Sequence, residues 1–183
     1  YYFGMVKRYG GVPIVRTVLD PLAPVEELKQ PRDTEYDCWK FIQEDLEFAM
    51  ENGASDRSKV ERMNRYGAAA LMSRAMLYAG TIAKYGGYIS TTGPAVQAGL
   101  MGMSADKATE FFQASYDACK FLKEAGFKKL IVTAKHHDGF CIWASEATQY
   151  DVSGATNYQG GKGDVLADIS KACTDYDMDM GLY

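Results

Sequence analysis

The stretch KKLIVTAKHHDGFCIW, residues 128–143, marks the point where the sequence changes from helical to strand-forming patterns. Residues 128–134 form a short apolar run with β-branched side chains, and its length is typical of a strand. The run leads into His136 and His137, which are the chain's two histidines, and then into Asp138. We therefore predict a strand that ends at the histidines and is followed by a turn.

The residues after this stretch predict a helix and a second strand. Asp164 is suited to cap a helix, and residues 178–183 have the pattern of a strand. The order strand, loop, helix, strand defines a βαβ unit, in which the two strands are almost always parallel. Two strands alone leave open edges and a poorly covered sheet. The predicted apolar positions of the helix are Val165, Ile169, Ala172, Cys173 and Tyr176.

The preceding residues, 1 to about 120, are predicted to be helical. Thr34 begins one helix, with Asp37 completing a variant of the capping box. A second helix runs from Met63 to Lys84, and its many small residues allow another helix to approach closely. Ser104 begins a third. The remaining predicted features are a helix end broken at Gly10-Gly11, an irregular connection over 17–33, a loop over 86–103, and Gly126 as a helix C-cap.

Composition and charge exclude several classes of function. The net charge of -4 and the pI near 5.2 argue against a nucleic-acid-binding protein, which concentrates basic residues on one face. No apolar run approaches the ~20 residues of a membrane span. The N-terminus has no pattern of a signal peptide, so we expect any targeting signal outside this chain. The four widely spaced cysteines match no zinc or redox motif and are predicted to be buried free thiols.

Three segments of the helical part carry a resemblance to a known family. They are FGMVKRYGGVPI at 3–14, WKFIQEDLEFA at 39–49 and RYGAAALMSRAMLYA at 65–79. Their order and spacing resemble the SusD/RagB family of outer-membrane glycan-binding lipoproteins, over residues 1 to about 120. The resemblance implies a tetratricopeptide-like scaffold that captures glycans beside a TonB-dependent SusC-like transporter. It also implies the outer membrane or periplasm of a Gram-negative bacterium of the Bacteroidota type.

The remaining residues, about 121 to 183, resemble a different family. EAGFKKLIVTAKHHDGFCIW at 124–143 is similar to the α-L-fucosidases of glycoside hydrolase family 29, and residues 163–166 and 173–183 continue in that family's order. The resemblance implies a piece of a (β/α)8 barrel, which typically needs ~250 residues. The joint between the two resemblances falls within Cys119 to Gly126. A composite or chimaeric chain is therefore a third interpretation, beside a glycan-binding scaffold and a fucosidase.

The two histidines allow several roles. A shared metal ion is disfavoured, because successive side chains on a strand point to opposite faces and no other ligand lies at a recognisable spacing. We expect no cofactor. Retaining glycosidases use two carboxylates, which the resemblance places on later barrel strands. Three nearby carboxylates match neither position, so no catalytic residue is assigned; they are Asp138, Glu146 and Asp151.

Sugar binding is the role that the resemblance implies for the pair. Barrel enzymes build their sites at the carboxyl ends of strands, and imidazoles exchange hydrogen bonds with hydroxyl groups. In the resembled family this pair contacts fucose, so His136 and His137 are predicted substrate-binding residues. The alternative is that either histidine satisfies backbone groups at the strand end. Trp143 is a further pocket candidate, with core packing as its alternative. The predicted ligand is an oligosaccharide or a fucosylated glycan.

Overall fold

A computed structural model describes residues 1–58, 61–88 and 92–183. The chain divides into two compact units, Tyr1–Ala125 and Gly126–Tyr183. Within the described ranges, no helix is both long and apolar enough to cross a membrane.

The first unit is helical. Its longer helices are α1 (Tyr2–Tyr9), α3 (Glu35–Asn52), α4 (Arg65–Tyr85) and α6 (Ala108–Glu124). Two one-turn helices, α2 (Val25–Leu28) and α5 (Pro94–Gln97), and two 3-10 turns, Gly86–Tyr88 and Ala105–Lys107, lie between them. The predicted helical character of this part is confirmed.

The helix starts follow the capping residues. The Thr34 hydroxyl accepts a hydrogen bond from the Asp37 N–H at 3.1 Å, which satisfies one of the free donors of the first turn of α3. The same hydroxyl donates to the Asp37 carboxylate at 2.6 Å. The prediction that Thr34 begins this helix is therefore confirmed, whereas Asp37 bonds the Thr34 hydroxyl and not the Thr34 backbone N–H that a capping box requires. Helix α4 begins two residues later than predicted, because the side chain of Asn64 caps it by accepting from the N–H groups of Tyr66 and Gly67.

The core of this unit is built around α4, which packs against both α3 and α6. Trp39 from α3, Met76 from α4 and Phe111 from α6 are fully buried. The close approach of another helix, predicted from the small residues of α4, is confirmed. Ala75 and Ala79 are fully buried, and further alanines of α4 are buried as well. At Gly80 an added Cβ would lie 2.6 Å from the ring of Phe112, so this position needs glycine unless the ring moves.

Three expectations need correction. The connection over 17–33 contains α2, whose first turn carries Glu26 and Glu27, and acidic residues there complement the helix dipole. The predicted loop over 86–103 contains a 3-10 turn and α5, which begins at Pro94; residues 89–91 lie outside the described residues. Cys119 is exposed, whereas the other three cysteines are buried as predicted.

The second unit contains a two-stranded parallel sheet. Strand β1 (Lys129–Val132) pairs with β2 (Asp179–Leu182) in register from Lys129 opposite Asp179 to Val132 opposite Leu182. Between them lie α7 (Val152–Ala155), a 3-10 turn (Tyr158–Gly160) and α8 (Val165–Asp175). The predicted parallel βαβ unit is confirmed.

The predicted cap of α8 is also confirmed, because the Asp164 carboxylate accepts from the Ala167 N–H at 2.8 Å. The predicted apolar face of α8 is only partly covered: Cys173 is buried, whereas Ala172 and Tyr176 are exposed. The sheet is open, as predicted for two strands alone, with Ile131 66% and Leu182 62% exposed.

Candidate functional site

The two histidines lie at the tip of a short loop, residues 135–141, which we call the histidine loop. Lys135 forms an antiparallel bridge with Cys141 at its base. The Ile142 N–H donates to the Ala134 carbonyl at 3.2 Å, and the Gly139 N–H donates to the His136 carbonyl at 3.0 Å. Strand β1 ends at Val132, so the prediction that the strand reaches the histidines is wrong by several residues.

The imidazoles of His136 and His137 lie together, with ring centroids 4.3 Å apart and planes at 68°. The expectation that they point to opposite faces is therefore wrong, because side-chain alternation holds only within a strand. Both side chains are exposed. In the described part of the chain neither imidazole hydrogen-bonds to protein, so nothing there supports the alternative that they satisfy backbone groups. No group of three potential metal ligands occurs among the described residues.

A buried carboxylate organises the chain next to this loop. Asp151 is 2% exposed and caps α7. One of its oxygens accepts from the Ser145 N–H at 2.9 Å. The other accepts from the Ser153 N–H, the Ser153 hydroxyl and the Gly154 N–H at 2.7 to 2.9 Å. These hydrogen bonds, chiefly those from Gly154 and Ser145, lower the pKa of Asp151.

The backbone on either side of Asp151 is hydrogen-bonded to the base of the histidine loop at Cys141. The Cys141 N–H donates to the Tyr150 carbonyl at 3.1 Å, and the Val152 N–H donates to the Cys141 carbonyl at 2.9 Å. The rings of Phe140 and Tyr150 make an edge contact with centroids 5.1 Å apart. The buried Asp151 carboxylate therefore fixes the segment 145–154, whose backbone pairs with the base of the loop, and it is not presented to solvent. Sequence reasoning grouped it with the other loop carboxylates, although Asp-x-Ser-Gly is a pattern that favours helix capping.

The structure does not bring Trp143 into ring contact or hydrogen bonding with either histidine in the described chain. Its side chain is half-buried. It lines an open cavity of about 570 Å³ beside α8 and the sheet. Asp138 and Glu146 are exposed. The other residues that line the cavity are Ala134, Asp164, Leu166, Ala167, Ser170, Met180 and Leu182.

Comparison with known proteins relates this unit to a family of enzymes. The family model described as Alpha-L-fucosidase matches residues 102–183. This part of the chain is fucosidase-like. Alpha-L-fucosidase 1 of Arabidopsis thaliana is 46% identical over 61 residues, which are 33% of this chain and 12% of the relative. Putative alpha-L-fucosidase 1 of Oryza sativa subsp. japonica is 40% identical over 82 residues, which are 43% of this chain and 16% of the relative.

A solved structure of a SusD-like protein is also similar to this chain. The crystal structure of a SusD-like protein from Bacteroides fragilis has a TM-score of 0.47 and 26% sequence identity. The similarity covers 73% of this chain and 20% of that chain. The fucosidase-like resemblance noted from the sequence is thus found among known proteins, and the chain spans only a small part of each protein that it matches.

Helix α6 lies inside the fucosidase-like match and also inside the helical unit. The matched residues begin at Gly102, whereas the compact helical unit extends to Ala125. In the structure α6 packs against α4 through its buried face. The residues shared by the match and the helical unit are therefore 102–125.

Proposed function

We propose that this chain binds glycans and that His136 and His137 contact a fucose residue. The observation that supports this proposal is the exposed pair of touching imidazoles within the fucosidase-like segment. Their ring nitrogens have no protein partner among the described residues, so they are available to sugar hydroxyl groups. A neutral imidazole both donates and accepts a hydrogen bond, which suits adjacent hydroxyls of one sugar ring.

The backbone pairing at the base of the histidine loop also favours sugar binding. A binding residue loses less conformational entropy when its backbone is already held in place. Here the Lys135–Cys141 bridge and the backbone hydrogen bonds of Cys141 with Tyr150 and Val152 hold the base of the loop before any ligand arrives. Trp143 belongs to this proposal as a residue beside the second unit's cavity, not as a neighbour of the two rings.

The wider role that we propose is glycan uptake as a SusD-like component beside a SusC-like TonB-dependent transporter. It rests on the three motifs at 3–14, 39–49 and 65–79. In this proposal residues 1–120 form part of a tetratricopeptide-like scaffold, and 121–183 are a piece of a (β/α)8 barrel. The corresponding location is the outer membrane or periplasm of a Gram-negative bacterium.

A second candidate function is α-L-fucosidase, which the family match over 102–183 favours. Retaining hydrolysis needs two carboxylates about 5 to 5.5 Å apart. In the resembled family both lie on later barrel strands, and Asp151 is occupied in capping α7. We therefore propose that this chain contributes the sugar-contacting part of such a site, without the reacting carboxylates.

The histidine proposal is tested by titrating the 183-residue chain with L-fucose and a fucosylated oligosaccharide, using saturation-transfer NMR. We expect His136→Ala and His137→Ala each to weaken binding about 5- to 10-fold, which corresponds to the loss of one or two hydrogen bonds. Glu146→Gln, on the exposed loop that follows, is the matched control and should change binding less than twofold. Equal binding by all four proteins would exclude the pair as the fucose site.

A hydrolysis assay with an aryl α-L-fucoside tests the second candidate. We expect no release of fucose by this chain, and measurable release would contradict the absence of a reacting pair. Peptide mapping by mass spectrometry across Ser115 to Lys129 tests the composite interpretation. A peptide that spans the joint establishes one chain, whereas separate longer proteins carrying each half would support a composite.

A further inference from the structure

Helices α3 and α6 both pack against α4 and leave an open groove between them, which we call the α3–α6 groove. Its volume is about 520 Å³. The ion pair between Lys40 and Glu110 joins the first halves of the two helices at 3.5 Å. Met50 and Phe121 line the groove in their second halves. The two helices therefore run in the same direction along the groove.

The floor of the groove is apolar, and Phe121 is the aromatic residue among the described residues that line it. Met72 and Ala118 are buried at its base, and Met50 and Ala114 are half-buried beside them. The ring of Phe121 is already contacted by Arg65, at 5.3 Å from the guanidinium carbon to the ring centroid. Flexible Met side chains on a concave surface adapt to varied apolar partners. This floor is suited to large aliphatic side chains rather than to stacking of sugar rings.

Each wall of the groove carries one amide side chain hydrogen-bonded to one carboxylate side chain, and the two pairs lie at the same height along the groove. On α3, the Gln43 side chain donates to Glu47 at 2.7 Å. On α6, the Gln113 side chain donates to Asp117 at 3.0 Å. Within the described chain neither carboxylate has a salt-bridge partner, so both negative charges face the groove with only neutral hydrogen-bond donors.

Cationic groups occur only toward the two ends of the groove among the described residues that line or contact it. Lys40 is engaged by Glu110 and by Gln43, and Arg65 covers Phe121. The middle of the groove is therefore acidic, with Glu47 and Asp117 on opposite walls. An occupant that complements it carries positive charge at mid-length and apolar side chains toward the floor.

The dimensions of the groove match one short helix. From Glu110 to Phe121 the lining spans about 16 Å at 1.5 Å per residue, which is three turns. A helix laid over α4 between α3 and α6 would occupy the fourth position of a four-helix bundle. Amphipathic helices that dock in grooves present apolar anchors at three- and four-residue steps. We propose that the α3–α6 groove binds a basic amphipathic helical segment of a partner protein.

This inference does not depend on the proposed sugar site. The probe is a fluorescein-labelled peptide of about 16 residues, with leucines at three- and four-residue steps and lysines between them, long enough to form three or more turns. Fluorescence anisotropy with the 183-residue chain at about 0.1 M salt should give saturable binding that weakens as salt is raised. A peptide with glutamates in place of the lysines, and a scrambled Leu/Lys peptide, should each bind at least tenfold more weakly.

Charge reversal at the groove provides the decisive comparison. We expect Glu47→Lys combined with Asp117→Lys to weaken binding of the Leu/Lys peptide at least about tenfold, through lost attraction and added repulsion. Asp45→Lys combined with Glu51→Lys makes the same change in net charge at exposed positions of α3 that do not line the groove. This control should retain binding within about twofold.

A second variant tests the apolar floor without changing charge. Ala114→Trp fills the groove from a half-buried position of the floor, and we expect it to abolish peptide binding while circular dichroism reports intact helices. The proposal is overturned if native protein shows no saturable binding, if the control reversal weakens binding equally, or if the glutamate peptide binds as well. Displacement of the peptide by a neutral oligosaccharide would instead identify the groove as a glycan site and would also refute it. His136→Ala should leave peptide binding unchanged.

Discussion

Replacing Phe111 by Ala tests whether α6 is an integral part of the helical core, although its sequence lies within the fucosidase-like match. Phe111 is fully buried, and its ring contacts Tyr36 of α3 with centroids 5.9 Å apart. Removal of a fully buried Phe side chain costs about 3–5 kcal/mol in transfer and cavity free energy. A unit of about 125 residues has an unfolding entropy near 0.26 kcal/mol/K, so the expected fall in Tm is roughly 11 to 19 °C.

The assay is thermal and urea unfolding followed by circular dichroism, with amide hydrogen exchange in α4 as the local readout. Amides in the middle of α4 should lose protection together with those of α6, because the two helices share one buried face. Tyr116→Ala is the matched control on the same helix: Tyr116 is 52% exposed and should cost less than about 1 kcal/mol. If Phe111→Ala and Tyr116→Ala had the same small effect, α6 would not be docked on α4 as the structure places it.

Two further predictions concern backbone support in each unit. Hydrogen bonds lower the pKa of Asp151, so its stabilisation of the adjacent loop is present above the unfolded-state value of about 3.9 and is lost as pH falls through the lower folded-state value. Asp151→Asn places an NH2 group against the Ser145 N–H, so the hydrogen-exchange rate of the Ser145 amide should rise at neutral pH. Glu146→Gln is the control and should leave this rate unchanged. An unaltered rate in Asp151→Asn would contradict the supporting role of the carboxylate. At Gly11 an added Cβ would lie 1.9 Å from the Asp33 carbonyl oxygen. Gly11→Ala should therefore lower the free energy of unfolding of the first unit by about 1–3 kcal/mol or more, as measured by urea unfolding. A variant as stable as the native protein would contradict this close approach.

Features that depend on neighbouring residues were predictable. Thr34 and Asp164 cap their helices because a short oxygen-bearing side chain reaches an N–H three residues ahead. The parallel pairing of β1 and β2 was predictable because a helical crossover leaves little choice of strand direction. The one-turn helices α2 and α5 were not predicted, because four residues carry too little periodicity to separate a helix from a loop.

The site was predicted in part. The position of His136 and His137 beyond a strand could be inferred, but not the contact between their rings. That contact depends on a turn closed by Gly139, whose φ of 84° is outside the range most residues adopt, and on pairing between Lys135 and Cys141. The burial of Asp151 depends likewise on the path of the chain from Ser145 to Gly154.

The sequence by itself determined the starts of α3 and α8, the βαβ order and the resemblance to two families, because these are carried by local residue patterns. Only the tertiary structure decided that α6 packs in the helical unit, that α3 and α6 enclose an acidic groove, and that the two imidazoles meet. Each of these results from contacts between residues far apart in sequence, or from backbone turns whose geometry is set by such contacts. Local patterns restrict these arrangements, and the packing of complete elements selects among them.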